Sequence, residues 1–129
     1  MKNFLVILII GFALVSCGNK DQVGELKAEV MAIHDEVMPE MGNLRKVRKQ
    51  LISLSETKDS TEAEELIQLA DDIEIANERM MEWMRNFEPS FEGTIEEKTD
   101  YLTAQKKSIA EVKEKMLSAL EAGQKALSK

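Results

Sequence analysis

The sequence predicts an all-α protein, an elongated antiparallel three-helix bundle that runs up, down and up. Apolar residues recur every three or four positions from about residue 24 onward, which is the spacing of one helix face. No stretch alternates between apolar and polar residues as a strand would. Two short polar segments separate three long helical stretches, and such short loops place sequential helices antiparallel.

A separate segment precedes this region. Lys2 is followed by a nearly continuous apolar run from Phe4 to Val15, which is typical of a secretory signal peptide and too short for a membrane span. The run ends at Leu14-Val15-Ser16-Cys17, which resembles a bacterial lipobox. The resemblance implies cleavage before Cys17 and acylation of its sulfur. The alternative is an unprocessed signal anchor with a free thiol.

This pattern divides the chain into three parts. Residues 1–16 are predicted as a lipoprotein signal peptide, residues 17–22 as a lipidated tether and residues 23–129 as the three-helix bundle. Because one acyl chain binds a membrane only marginally, stable anchoring needs several. Cys17 is the only cysteine, so its acylation excludes disulfides and thiol chemistry from the mature chain.

Charge and the residue after the cysteine bear on location and partners. Removal of residues 1–16 takes away Lys2 and no acidic residue, which changes the net charge from −7 to −8. An acidic chain is unsuited to nucleic acid, so no nucleic-acid partner is predicted. The predicted location is the cell envelope, on its periplasmic or surface face. Gly18 is not the aspartate linked to inner-membrane retention in enteric bacteria, which favours the outer membrane.

Helix one is predicted from about Gly24 to Leu54. Pro39 lies within it, removes one backbone hydrogen bond and clashes with the carbonyl of Asp35. Gly42 weakens the same turn. We therefore expect a kink near Pro39, with a break into two helices as the alternative. The predicted apolar face is Leu26, Val30, Ile33, Val37, Met41, Leu44, Val47, Leu51 and Leu54.

Helix two follows a turn at residues 55–60. Thr61 and Glu64 have the spacing of a capping box, with Thr61 as the N-cap. Pro89 ends the helix near Phe87. The residues predicted to face inward are Leu66, Leu69, Ile73, Ala76, Met80, Trp83 or Met84, and Phe87.

Helix three begins after a second loop, at residues 88–94. Thr94 and Glu97 form a second capping-box pattern, and Gly123 is predicted as the stop after Ala122. The inward residues are Ile95, Leu102, Ile109, Val112, Met116 and Leu120. Apolar positions left over from the three faces suit self-association; these are Ile52, Ile67 and Ile75.

The sequence gives no indication of an enzyme. It has no glycine-rich phosphate loop, no dinucleotide fingerprint and no Gly-x-Ser-x-Gly elbow. A single histidine excludes paired-histidine metal helices. The many carboxylates lie on what the periodicity predicts to be a solvated face. We therefore predict a non-catalytic protein with no cofactor.

One cluster stands apart from these apolar faces. If the chain folds back near Lys58, His34 lies level with Glu82, and six of the seven mature methionines meet at the membrane-proximal end. Met31, His34 and Met38 are spaced i, i+3, i+7, so they form a stripe beside the apolar face. The predicted binding stripe is Met31, His34, Met38, Met81 and Met84. Its residues either fill core gaps or bind a partner.

Two segments of this cluster carry a family resemblance. Residues 34–39, His-Asp-Glu-Val-Met-Pro, and residues 81–85, Met-Glu-Trp-Met-Arg, together with the lipobox, resemble small helical lipoproteins of Bacteroidetes-type bacteria. Some of these are catalogued as "viral A-type inclusion protein". The resemblance implies a helical envelope lipoprotein and supplies no catalytic or binding residue.

Three functions remain open. The favoured one is a structural or interaction module, anchored by acyl chains, that binds another envelope protein or itself. A periplasmic binder of Cu(I) or Ag(I) would use Met31, His34 and Met38 as soft ligands. A wall linker joined through its C-terminal Lys129 is the third.

Overall fold

The computed structural model describes residues 18–129, which form four α-helical segments and no strand. The segments are α1 (Gly18–Val37), α2 (Glu40–Ser55), α3 (Ser60–Asn86) and α4 (Ile95–Leu127). The all-α prediction is therefore confirmed, and the two loops fall where the polar segments predicted them. The predicted signal peptide and Cys17 lie outside the described residues.

α1 and α2 are two arms of one helix that is kinked at Pro39. Pro39 keeps helical backbone angles, φ −59° and ψ −27°, and the N–H of Met38 still donates to the carbonyl of His34 at 2.9 Å. Because proline has no N–H, the carbonyl of Asp35 loses its usual donor. The interruption is limited to residues 38–39, so the predicted kink is confirmed.

Most of the predicted tether is helical. Of residues 17–22, those from Gly18 onward belong to α1. This stretch is polar, but it contains no proline, and Asp21 in the first turn suits the positive end of the helix dipole. Polarity alone therefore did not prevent helix formation, and the chain is helical from Gly18, the first residue that the structure describes.

Two ion pairs show the relative direction of α1 and α4. Lys106 Nζ lies 2.7 Å from Glu29 Oε2, and Lys113 Nζ lies 2.6 Å from Glu36 Oε1. Both pairs join residues the same distance apart in sequence, so α1 and α4 run parallel. α3 packs against α2 and α4, and α4 packs against all three other segments. With 33 residues, α4 is about 50 Å long, so the bundle is elongated.

The core is a single apolar cluster along the bundle axis, and it matches most of the predicted inward positions. Ala70 and Gly123 are buried as well, although the sequence did not predict them to be. Every described member of the cluster lies between Val30 and Leu127. The largest fully buried side chains are Leu44, Leu51, Ile73, Met80, Ile109, Met116, Val30 and Val37.

Gly123 was expected to end the last helix, and that prediction is wrong. α4 continues for four more residues, and Gly123 is buried within it. A Cβ at this position would lie 2.6 Å from Val47 Cγ1 and 3.1 Å from Ile73 Cδ1. Glycine is therefore required because α4 approaches α2 and α3 closely here, not because the backbone turns.

The two helix starts differ in how well the sequence predicted them. Thr94 forms the predicted capping box: its side chain accepts from Glu97 N, and Glu97 Oε2 accepts from Thr94 N at 2.7 Å. The Glu97 carboxylate accepts hydrogen bonds from the backbone N–H and from the side chain of Thr94, and these lower the pKa of Glu97. The Thr61 box is wrong. The N-cap of α3 is Asp59, whose Oδ1 accepts from the N–H groups of residues 61 and 62 at 3.1 and 3.0 Å.

Substitution of this cap tests the correction. Asp59→Ala is expected to lower the free energy of unfolding by about 1 kcal/mol, because two N–H groups at the start of α3 lose their acceptor. Thr61→Ala is the matched control and should change it by less than about 0.5 kcal/mol. Urea denaturation of the two variants measures both values. A larger loss for Thr61→Ala than for Asp59→Ala would indicate that Thr61 is the N-cap, as the sequence predicted.

Candidate functional site

The aromatic side chains of the described residues form one continuous ladder. The ring of His34 lies 5.7 Å from that of Trp83, Trp83 stacks on Phe87 at 4.8 Å, and Phe87 lies 6.3 Å from Tyr101. Tyr101 then stacks on Phe91 at 4.3 Å. The ladder runs from α1 through α3 to α4, and it shows that His34 lies at the height on α3 that the sequence predicted.

This ladder also holds the loop between α3 and α4. The Tyr101 hydroxyl accepts a hydrogen bond from the N–H of Glu88 at 2.7 Å, just past the end of α3. An open pocket of ≈ 360 Å³ lies beside the loop; its lining includes Val23, Lys27 and Lys98. The pocket therefore lies near the N-terminal end of α1, with lysines and exposed acidic side chains on its rim.

The predicted binding stripe is divided between two faces. Met31, His34 and Met38 are half-buried, and Nδ1 of His34 lies 2.8 Å from Asp35 Oδ1. Met38 packs against the core, as does Met84 from α3. These residues are therefore close to the apolar core rather than fully accessible.

Met81 lies apart from the others. Trp83 is buried and faces the ladder, whereas Met81, two residues earlier, is 43% exposed. Two residues correspond to about 200° around a helix, which explains why the two side chains point in different directions. Met81 instead lines a groove between α2 and α3.

The α2–α3 groove has a volume of ≈ 540 Å³ and an apolar floor with a charged rim. Met41 and Met81 form its apolar part. Its other lining residues are polar or charged, and they are Arg45, Glu74, Asn77, Glu78, Glu82 and Arg85. An apolar centre with a charged rim is the usual arrangement of a protein interface.

Most charged residues of this groove form no ion pair, although Arg45 Nε donates a hydrogen bond to the carbonyl of Met41 at 3.3 Å. Arg48 Nε lies 2.9 Å from Glu74 Oε2. Within the part of the chain that the structure describes, no ion pair includes Arg45, Glu78, Glu82 or Arg85. The rim therefore offers both positive and negative groups to a neighbouring molecule.

Asn77 is the residue of this groove that the sequence analysis missed. It is 8% exposed, and its Oδ1 has no hydrogen-bond partner. A buried amide oxygen without a donor costs free energy. Its position was visible in the sequence, since Asn77 follows Ile73 by four and precedes Met80 by three, on the apolar face of α3.

Nothing in the described geometry resembles a metal centre of oxygen, nitrogen or thiolate ligands. Among residues 20–129, no three or more His, Cys, Asp or Glu side chains converge on one point. This finding does not concern thioether ligands.

No described helix is both long and apolar enough to cross a membrane. Comparison with known proteins adds no relative to this description. No family model, no curated protein and no solved structure matches the chain.

Proposed function

We propose that this protein is a bacterial lipoprotein, a non-catalytic helical interaction module held on an envelope membrane by acyl chains on Cys17. The observation that carries the proposal is the apolar run that ends at Leu14-Val15-Ser16-Cys17. The chain is helical from Gly18, the residue after Cys17, so little extended chain would separate the bundle from its anchor. The same pattern would place it among the small helical lipoproteins that it resembles.

The composition of the core supports a non-catalytic role. Among the described residues, the buried polar side chains are Ser55 and Asn77, and Ser55 Oγ donates to the carbonyl of Ile52 at 2.6 Å. Catalytic acids and bases usually lie in clefts that shift their pKa values. The open grooves of this bundle instead suit contact with another protein.

The metal-binding alternative has less support from the geometry. A soft cation would need the sulfur atoms of Met31 and Met38 and a nitrogen of His34 to converge. Met38 packs against the core, and Nδ1 of His34 already contacts Asp35. We therefore propose the interaction function. Titration with Cu(I) tests the metal-binding alternative.

Intact mass of the protein from the membrane fraction tests the anchor. We expect loss of residues 1–16 and a gain in mass that corresponds to acyl chains on Cys17. The Cys17→Ser variant should keep residues 1–16, because serine has no sulfur atom that can be acylated. A wild-type product with an intact Met1 and a free thiol would overturn the lipoprotein proposal.

A further inference from the structure

We propose that the α2–α3 groove is the interface of a two-fold symmetric dimer of this chain. The proposal deepens the interaction function by naming the partner, a second copy, and it rests on the proposed anchor only to bring the copies together. Two proteins confined to one membrane meet at a raised effective concentration, so a groove of modest size is sufficient.

Two charged residues of α3 make the centre of this groove complementary to a second copy of itself. Glu78 and Arg85 both line it, and they are seven residues apart. Seven residues are two helical turns, about 10 Å along the axis. When a second α3 lies antiparallel, with the two-fold axis midway between them, each Glu78 faces Arg85 of the second copy. One symmetric arrangement thus forms two ion pairs from four unpaired charges.

The same register accounts for two further features of the groove. Met81 lies next to the two-fold axis, so the exposed thioethers of the two copies pack against each other. Asn77 lies beside Glu78, opposite Arg85 of the second copy. A guanidinium has five N–H donors, so a rotation of the Asn77 side chain would let this group contact both the Glu78 carboxylate and the Oδ1 of Asn77, which is buried and unpaired in the single chain.

Another exposed apolar position on α3 offers a weaker interface. Ile75 is 48% exposed and lines a groove between α3 and α4 with Asp72. Asp72 already accepts a hydrogen bond from Gln68 at 3.2 Å, and no buried unpaired atom lines that groove. Ile75 is therefore the matched control for Met81: it is on the same helix, at similar exposure, and on a different face.

Cross-linking of the full chain in its membrane tests the register. Cys17 is the only natural cysteine, so Met81→Cys adds one thiol, and a short bis-maleimide should join two copies through it. Ile75→Cys should remain uncross-linked. The wild-type chain controls for the anchor, because cross-linking without an added cysteine would mean that Cys17 is free. That result would contradict the acylation and not the dimer.

Charge exchange then tests the pairing itself. In the Met81→Cys background, Glu78→Arg or Arg85→Glu alone places like charges together at both contacts, and the cross-linked yield should fall by about tenfold. Both side chains are exposed and unpaired, so thermal melts should show that the variants remain folded. When the two variants are co-expressed with different tags, both contacts become attractive. The mixed dimer should therefore recover the wild-type yield.

Three results would overturn the proposal. The first is a Met81→Cys chain that stays monomeric. The second is cross-linking through Ile75→Cys instead, which would move the interface to the α3–α4 face. The third is a mixed pair of charge variants that cross-links no better than either variant alone, since a complementary pairing must be rescued by exchange.

Discussion

Met80→Ala is expected to lower the free energy of unfolding of the bundle by about 2–5 kcal/mol. The Met80 side chain is 0% exposed within the core cluster, so its truncation loses buried apolar area and leaves a cavity. The measurement is urea denaturation of residues 20–129, followed by far-ultraviolet circular dichroism. This segment contains every described residue of the core and no cysteine.

The neighbouring methionine is the control for this prediction. Met81 is 43% exposed, so Met81→Ala should change the stability of the segment by less than about 0.5 kcal/mol. The two substitutions remove the same atoms from adjacent positions, and the contrast therefore reports which face of α3 is inside. Equal losses for the two variants would show that α3 is rotated relative to the structure.

The core and the kink were predictable because both depend on local spacing. Val30, Val37, Leu44 and Leu51 repeat every seven residues and are all buried, since a repeat of this kind keeps one face toward neighbouring helices. Pro39 was equally informative, because a proline inside any helix removes one backbone hydrogen bond. Neither inference required knowledge of the rest of the fold.

The candidate site was less predictable, because it depends on the rotation of α3 as well as on its height. Folding the chain back near Lys58 placed His34 level with α3 residues near Trp83, and the two rings are in contact. Counting residues from the turn gives the height of a residue along α3 but not the direction in which its side chain points. It therefore grouped Met81 with His34, although Met81 faces the α2–α3 groove.

The helix ends show how neighbouring signals compete. Asp59, Ser60 and Thr61 are all good N-caps, and the capping-box spacing favoured Thr61. The backbone of Asp59 is extended, with φ −66° and ψ 169°, which is the conformation that a cap requires. Where the extended residue falls is decided by how the turn between α2 and α3 closes, and that depends on packing of the two helices.

Gly123→Ala is expected to destabilise the bundle by about 1–3 kcal/mol, although alanine is the better helix former. The new Cβ would meet Val47 Cγ1 at 2.6 Å, and a buried valine has no flexible end that can move aside. Gly42→Ala is the matched control. Nothing lies within 4 Å of a Cβ there, so this substitution should raise stability by up to about 1 kcal/mol.

The contact with Val47 can itself be tested by a double-mutant cycle. Val47→Ala removes the Cγ1 atom that the new Cβ would meet, so the loss caused by Gly123→Ala should be smaller in that background than in the wild type. Urea midpoints of the four proteins measure the coupling. If the loss were the same in both backgrounds, Val47 would not be the obstacle. If Gly123→Ala were as stabilising as Gly42→Ala, α4 would not approach α2 closely at this level, and the glycine would have to be explained by the end of the helix after all.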